Sequence, residues 1–163
     1  MPRTSLYSSI LHSPCRPLSA TAPCPTRSTL WHGKETAQDP NDSVSPLVSF
    51  EELLTVIHDR QKGATGVPAL IDVREPDEIQ ASGAIPTSEA IPVGEMADAL
   101  QLSADRFHAR YGFTKPHPSE PVIFYCRSGV RAGAAVETAQ RAGYRHPRNY
   151  KGSWLEYASR TQT

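Results

Sequence analysis

The stretch PVIFYCRSGVR, residues 121–131, decides the fold of this chain. Its first five residues are apolar or aromatic and include β-branched side chains, which is typical of a short buried strand. Cys126 follows directly, and beyond a short loop apolar residues recur at helical spacing at Ala132, Ala135, Val136 and Ala139. This spacing predicts a helix with one buried face, and Gly143 predicts its end. The stretch therefore predicts a strand, a loop and a helix, with Cys126 at the carboxyl end of the strand.

Short apolar runs and helical patterns alternate on both sides of this unit. Besides 121–125, the predicted strands are 69–73, 90–92 and 148–150. The predicted helices begin after Ser49 and at Pro76, lie within 95–111, and close the chain around Trp154, Leu155 and Ala158. Within 95–111 the residues predicted to be buried are Met96, Leu100, Phe107 and Tyr111. This alternation predicts an α/β domain with a mainly parallel sheet, in which binding sites form beyond the carboxyl ends of the strands.

The predicted position of Cys126 favours a thiolate over a thiol. Backbone amides at the start of a helix have no partner within it, and the helix dipole adds partial positive charge there. Arg127 and Arg131 add two full charges close in sequence, and Gly129 lets the backbone curl around an anion. Cys126 could instead be an ordinary core residue, but two arginines beside it would be costly to bury without an anion. We therefore predict a nucleophilic cysteine with a depressed pKa.

Four motifs resemble those of one known family, in the same order along the chain. They are CRSGVR at 126–131, LIDVREPDE at 70–78, GAIP at 83–86 with AIP at 90–92, and GY at 143–144 with GSW at 152–154. Together they resemble the rhodanese family, specifically its single-domain type from bacteria and eukaryotic organelles, over about residues 47–160. The chain departs from the family's pattern at Thr87 and Ser88, where Gly-Ala is usual, and at Ala84, where His is frequent. It also places Trp154 a few residues earlier than the family often does.

The resemblance implies a rhodanese-like three-layer α/β domain around a five-stranded, mainly parallel sheet flanked by helices. It also implies a sulfurtransferase in which Cys126 takes the outer sulfur of thiosulfate, or of a persulfide donor, and holds it as a persulfide. The enzyme then passes this sulfur to cyanide or a small thiol such as glutathione. Arg127 and Arg131 would hold the anion. The backbone amides that would stabilise the charged sulfur are those of Ser128, Gly129, Val130 and Arg131. Asp72 and Arg74 would brace the loop, or would form a strand-end salt bridge with no part in catalysis.

Other functions use the same residues. A cysteine-dependent phosphatase of this fold has five residues between its cysteine and arginine, whereas four separate Cys126 from Arg131, and Tyr125 precedes the cysteine where such phosphatases have histidine. The smaller loop favours a sulfur atom over a phosphate group. A sulfur-relay protein, which would hand its persulfide to a protein partner, stays open, and so does a non-enzymatic binding module, although the retained cysteine argues against the latter. We predict no cofactor, and no cysteine–histidine cluster has zinc-ligand spacing.

The first 34 residues differ from the rest of the chain in charge. Residues 1–34 contain four basic side chains and no acidic one, which leaves 13 basic and 17 acidic residues in the remainder, a net charge of −4. A Ser-, Thr- and Arg-containing leader without acids is typical of a transit peptide to the mitochondrial matrix. The less favoured alternatives are a plastid transit peptide, or an ordinary disordered tail on a cytoplasmic protein. We predict a leader at 1–34, a linker at 35–46 and the rhodanese domain at 47–160. Neither a nucleic-acid partner nor a membrane span is predicted.

Overall fold

The computed structural model describes residues 45–161. The predicted leader, 1–34, and the predicted linker up to residue 44 lie outside the described residues. Within the described part, no helix is long and apolar enough to cross a membrane.

A parallel sheet forms the centre of the described part of the chain. Its four strands are β1 Ala69–Asp72, β2 Glu89–Ala90, β3 Val122–Tyr125 and β4 Pro147–Asn149, in the spatial order β2-β1-β3-β4. Asp72 pairs with Tyr125, so the two central strands end at the same edge of the sheet. Leu47 continues the sheet beyond β4 through a single parallel bridge to Asn149, in the place of a fifth strand. The predicted α/β class with a parallel sheet is confirmed.

Six α-helices accompany the strands in the described residues. They are α1 Phe50–Gln61, α2 Pro76–Ser82, α3 Met96–Gln101, α4 Ala104–Tyr111, α5 Val130–Arg141 and α6 Ser153–Thr161, with a 3-10 turn at Val93–Glu95 before α3. Ser49 caps α1 as predicted, because its hydroxyl accepts a hydrogen bond from the Glu52 amide at 3.2 Å. Gly143 has a φ of 90° just after α5, which is the left-handed conformation that ends helices.

The sheet separates two apolar cores, because alternate side chains of a strand point to opposite faces. Val122 and Phe124 join the core formed with α3, α4 and α5, whereas Ile123 and Tyr125 join the core formed with α1 and α6. Burial on both faces explains why β3 is apolar throughout. The predicted three-layer arrangement is therefore confirmed.

Three predictions about burial and boundaries need correction. The strand predicted at 90–92 is β2 Glu89–Ala90, and Ile91 and Pro92 lie after its end. Tyr111 is only partly buried, because its hydroxyl donates a hydrogen bond to the exposed carboxylate of Glu95 at 2.9 Å. The last strand covers Pro147–Asn149, one residue earlier than predicted, since Tyr150 turns into the loop before α6.

Candidate active site

Cys126 lies at the carboxyl end of β3, in a short loop before α5. Gly129 ends this loop with a φ of 88°. A Cβ atom there would lie 2.3 Å from the Lys151 carbonyl oxygen, so the close approach and the left-handed backbone both require glycine. The side-chain amide of Asn149, on the neighbouring strand, donates to the Gly129 carbonyl at 3.1 Å. The loop is therefore held by close contacts with Asn149 and Lys151.

The sulfur of Cys126 is surrounded by backbone amides. The residue is 1% exposed, and the Gly129 amide donates to Sγ at 3.1 Å. Burial raises the pKa of the Cys126 thiol, but hydrogen bonds from backbone amides outweigh it, so the pKa lies below its ordinary value. These amides belong to Ala132, Ser128, Gly129 and Arg131. Val130, also expected among the donors, is 78% exposed beside the loop. The amide of Ala132 acts on the sulfur as well, although it was not among the predicted donors.

Ser153 holds the backbone of Cys126, a role for which its sequence gave no signal. Its buried hydroxyl accepts a hydrogen bond from the Cys126 amide at 3.1 Å and donates one to the Tyr150 carbonyl at 2.8 Å. The amides of Trp154 and Leu155 donate to the carbonyls of Cys126 and Arg127 at 3.0 and 3.1 Å. The start of α6 thus fixes the start of the loop. The only sequence hint was the GSW motif, to which no contact could be assigned.

Arg131 is paired with Glu78, a second residue that sequence reasoning left without a role. Both terminal nitrogens of Arg131 donate to the Glu78 carboxylate, with 2.8 Å between Nη2 and Oε1. The hydrogen bonds from Arg131 hold the pKa of Glu78 down at about 2, so the pair is ionised at neutral pH. Glu78 also accepts from the Glu75 amide at 3.3 Å at the start of α2. Arg131 therefore lies beside the loop with its guanidinium already engaged by a carboxylate.

Arg127 is the loop arginine whose charge is not so engaged. Its side chain is exposed, and within residues 45–161 it has no carboxylate partner. Sequence reasoning gave Arg127 and Arg131 the same task of holding an anion. The structure brings both to the loop but gives them different surroundings, because only Arg131 faces a carboxylate.

Asp72 and Arg74 form a buried ion pair at the end of β1. Both side chains are 1% exposed, and Nη2 of Arg74 lies 2.6 Å from Oδ2 of Asp72. Arg74 also donates to the Ser82 hydroxyl and the Gly83 carbonyl, each at 2.8 Å, and its guanidinium lies 4.9 Å from the Trp154 ring centroid. The pair has the form of a strand-end salt bridge. It reaches the loop through Trp154, whose amide holds the Cys126 carbonyl. It also contacts Tyr125, the residue before Cys126, whose ring centroid lies 5.8 Å from the Arg74 guanidinium.

A cavity of about 280 Å³ opens beside the loop. Its polar lining consists of Arg74, Glu78, Ser82 and Arg127, and its apolar lining consists of Ala81, Trp154 and Leu155. Among the described residues no group of three or more His, Cys, Asp or Glu side chains could hold a metal ion. The chemistry that the described residues supply here is a buried, stabilised thiolate beside a small, partly apolar cavity.

Comparisons with known proteins agree with this geometry. The sequence model of the rhodanese-like domain family matches residues 52–160 of this chain. A Schizosaccharomyces pombe protein, named as a candidate mitochondrial thiosulfate sulfurtransferase, is 46% identical over 94 residues, which cover 58% of this chain and 66% of that protein. Human thiosulfate:glutathione sulfurtransferase is 37% identical over 114 residues, which cover 69% of this chain and 93% of that protein. The structure of the human single-domain sulfurtransferase TSTD1 matches with a TM-score of 0.64 at 33% identity, over 71% of this chain and 97% of that chain.

The fold, the cysteine loop and the matched domain together define a single-domain rhodanese, and the chain belongs to the rhodanese family. The relatives that it resembles are sulfurtransferases, which confirms the predicted enzyme class. The family prediction rested on the order of four motifs, and the structure places the first of them, the loop 126–131, at the carboxyl end of the central strand β3.

Proposed function

We propose that this chain moves the outer sulfur of thiosulfate to a small thiol through a persulfide on Cys126. The observation that carries the proposal is the environment of the Cys126 sulfur, which is buried yet receives several backbone amides and has a lowered pKa. Such a thiolate is a nucleophile at neutral pH. The names of the relatives support thiosulfate as the donor and glutathione as the acceptor.

The first step forms the persulfide. The Cys126 thiolate attacks the outer sulfur of thiosulfate, a new S–S bond forms, and the bond to the inner sulfur breaks, so sulfite leaves with the bonding electron pair. The persulfide keeps one negative charge on its outer sulfur. The amides of the loop are oriented before the reaction and stabilise this charge without reorganisation. Arg127 and Arg131 attract the doubly charged donor, and Glu78 keeps Arg131 in place.

The second step releases the sulfur. An acceptor thiolate attacks the outer sulfur of the persulfide, the S–S bond to Cys126 breaks, and the Cys126 thiolate is restored while the acceptor leaves as a persulfide. Cyanide would react in the same way and leave as thiocyanate. A protein thiol is a further acceptor with the same chemistry, and Val130, 78% exposed beside the loop, is apolar surface that such a partner would cover. The reaction therefore needs no cofactor.

We also propose that the chain acts in the mitochondrial matrix after loss of a transit peptide. The acid-free composition of residues 1–34 supports this location, as does the mitochondrial name of a relative. Import followed by protein sequencing of the mature amino terminus would test it. A mature protein that still begins at Met1, or that stays in the cytosol, would contradict it.

The persulfide is tested with the full chain, thiosulfate and cyanide, by following thiocyanate and by weighing the intact protein after thiosulfate alone. We expect turnover and one added sulfur atom, both lost in Cys126→Ser. Because Cys15 and Cys24 are also thiols, the double variant Cys15→Ser/Cys24→Ser is the matched control and is expected to keep both. If the chain gains no sulfur and forms no thiocyanate, the proposed function is wrong.

A further inference from the structure

The cavity beside the Cys126 loop combines one available cation with an apolar wall. Two of the three charged side chains on its lining are already paired, since Arg74 binds Asp72 and Glu78 binds Arg131. Within residues 45–161, Arg127 is the lining side chain whose charge has no carboxylate partner. A ligand in this cavity would therefore meet a single uncompensated positive charge.

The opposite part of the lining is apolar and only partly covered. Leu155 is 51% exposed although it is a large hydrophobic residue, and Trp154 and Ala81 lie on the same cavity. An exposed leucine beside a tryptophan favours contact with an aliphatic part of a ligand. Thiosulfate has no such part, so this wall is not explained by the sulfur donor.

One lining residue of the cavity, Arg127, belongs to the loop that carries the reacting group. Arg127 directly follows Cys126, and the amides of Trp154 and Leu155 bind the carbonyls of Cys126 and Arg127 at 3.0 and 3.1 Å. The cavity's volume of about 280 Å³ is slightly below that of small-molecule sites, which span roughly 300–1,000 Å³. A molecule bound there would be small and would lie beside the loop that carries the persulfide.

We propose that this cavity is the binding site for the acceptor, and that it selects small thiols that carry a carboxylate, such as glutathione. Arg127 binds the carboxylate, and Leu155 and Trp154 contact the aliphatic part of the acceptor. The inference rests on the proposed sulfur transfer for its role, but the site itself rests on the unpaired charge and the apolar wall. Arg127 is therefore a specificity-determining residue for the second step, in addition to attracting the donor together with Arg131 in the first step.

The first test compares two acceptors in the full chain: glutathione, and 2-mercaptoethanol, a thiol without a carboxylate. We expect Arg127→Gln to lower the ratio of their kcat/KM values, glutathione over 2-mercaptoethanol, by about tenfold or more, because the variant loses a hydrogen bond between two charged groups. The ratio cancels any effect on persulfide formation, because both acceptors use the same persulfide. Arg127→Lys should restore part of the ratio. Arg106→Gln, at an exposed arginine of α4 outside the cavity, is the matched control and should leave it unchanged.

The second test measures binding without turnover, using S-methylglutathione, which has no free thiol, and calorimetry. We expect its Kd to rise about tenfold in Arg127→Gln and also to rise in Leu155→Glu, which places a negative charge on the apolar wall. If the wild type binds S-methylglutathione and the variants bind it more weakly, the binding site is supported even if no sulfur is transferred. The inference is wrong if sulfur transfer occurs but S-methylglutathione does not bind. It is also wrong if Arg127→Gln lowers kcat/KM equally for both acceptors. In either case the proposed function is unaffected.

Discussion

Two bidentate arginine–glutamate pairs join distant parts of this chain, one beside the nucleophile and one at the margin of the sheet. Arg131 of α5 pairs with Glu78 of α2, and Arg148 of β4 pairs with Glu52 of α1. Each pair connects an element near the carboxyl-terminal half of the domain to a helix in the other half. The chemistry of the two pairs is the same, but their surroundings differ.

The surroundings decide what each pair does. The Arg148 side chain is 9% exposed, and it also donates to the carbonyls of Ser45 and Leu47 at 2.7 and 2.8 Å, so it fixes the first described segment against β4. The Arg131 side chain is 31% exposed, and besides Glu78 it faces the sulfur of Cys126. A pair whose arginine binds backbone carbonyls serves the fold, whereas one whose arginine faces a thiolate serves the reaction.

The largest effect is expected from the backbone of the loop that Arg131 serves. In Gly129→Ala the new Cβ would lie 2.3 Å from the Lys151 carbonyl oxygen at a φ of 88°, so the loop must move. We expect sulfur transfer to fall more than about a hundredfold and stability to fall by about 3 kcal/mol or more, as for other overpacked and strained sites. Thiocyanate formation and urea denaturation measure the two effects.

Gly63→Ala is the matched control for the glycine prediction. Gly63 also has a positive φ, 70°, but a Cβ there meets nothing within 4 Å. The substitution should cost only about 1 kcal/mol of stability, the usual penalty for a left-handed alanine, and should leave sulfur transfer unchanged. Equal losses of activity in the two variants would show that the approach of Lys151 does not shape the loop.

The roles of the two pairs can be distinguished with Glu78→Gln and Glu52→Gln. Each substitution keeps the shape of the side chain and removes its charge. Glu78→Gln should lower kcat/KM with thiosulfate by about tenfold, or about 1.4 kcal/mol of transition-state stabilisation, because Arg131 is no longer held at the loop. Glu52→Gln should instead lower the free energy of unfolding by about 1–2 kcal/mol, since it leaves the nearly buried Arg148 without its counter-ion. Its kcat/KM should not change.

The pH dependence of Cys126 reactivity in Glu78→Gln tests whether Glu78 positions Arg131 beside the sulfur or only contributes to packing. If Glu78 holds Arg131 beside the sulfur, its replacement withdraws that positive charge from the thiolate. The pKa of Cys126, which lies below its ordinary value in the wild type, should therefore rise in Glu78→Gln. The rate of alkylation by iodoacetamide as a function of pH reports this pKa. A profile that does not move, together with normal kcat/KM, would place Glu78 with Glu52 as a structural residue.

The residues that could be predicted from the sequence are those whose signal is local. Cys126, its loop and the apolar face of α5 lie within one continuous stretch, and the helix cap at Ser49 depends on residues three positions apart. The partners that complete the site could not be predicted in this way. Glu78 and Ser153 reach the loop from 53 and 27 residues away, and nothing in their own neighbourhoods marks those contacts.

The predicted similarity of Arg127 and Arg131 shows the same limit. Both arginines flank the same loop, so the sequence assigns them one role. Only the folded chain brings Glu78 to Arg131 and leaves Arg127 on the cavity. The difference between them is set by tertiary packing and has no counterpart in local spacing.

Acid unfolding gives a smaller effect that both pairs should share. The pKa of Glu78 is lowered from 4.5 to about 2, and that of Glu52 is also lowered, in each case chiefly by hydrogen bonds from the paired arginine. A carboxyl whose pKa is depressed by folding adds stability above its unfolded pKa and loses it as the pH falls through the folded value. Stability should therefore be level from pH 7 to about 5 and fall between about 4.5 and 2. The fall should be shallower in Glu78→Gln, as thermal unfolding across this range would show, and an identical slope would contradict the pairing.

The smallest effect is expected at Thr87. An arginine side chain binds its backbone carbonyl, as Arg148 binds the carbonyls of Ser45 and Leu47. Arg60 donates to the Thr87 carbonyl at 3.2 Å, and Thr87 has a φ of 65°, where the family usually has glycine. A β-branched residue in the left-handed region lowers the free energy of unfolding by about 1–2 kcal/mol. Glycine would remove this strain, but its larger conformational freedom in the unfolded chain offsets part of the gain. Thr87→Gly should therefore raise the free energy of unfolding by about 0.5 kcal/mol. The Thr87 hydroxyl is buried without a hydrogen-bond partner in the described residues. Thr87→Ala removes this hydroxyl but keeps a side chain on the strained backbone. If both variants raise the free energy of unfolding equally, the hydroxyl and not the backbone is what destabilises the wild type.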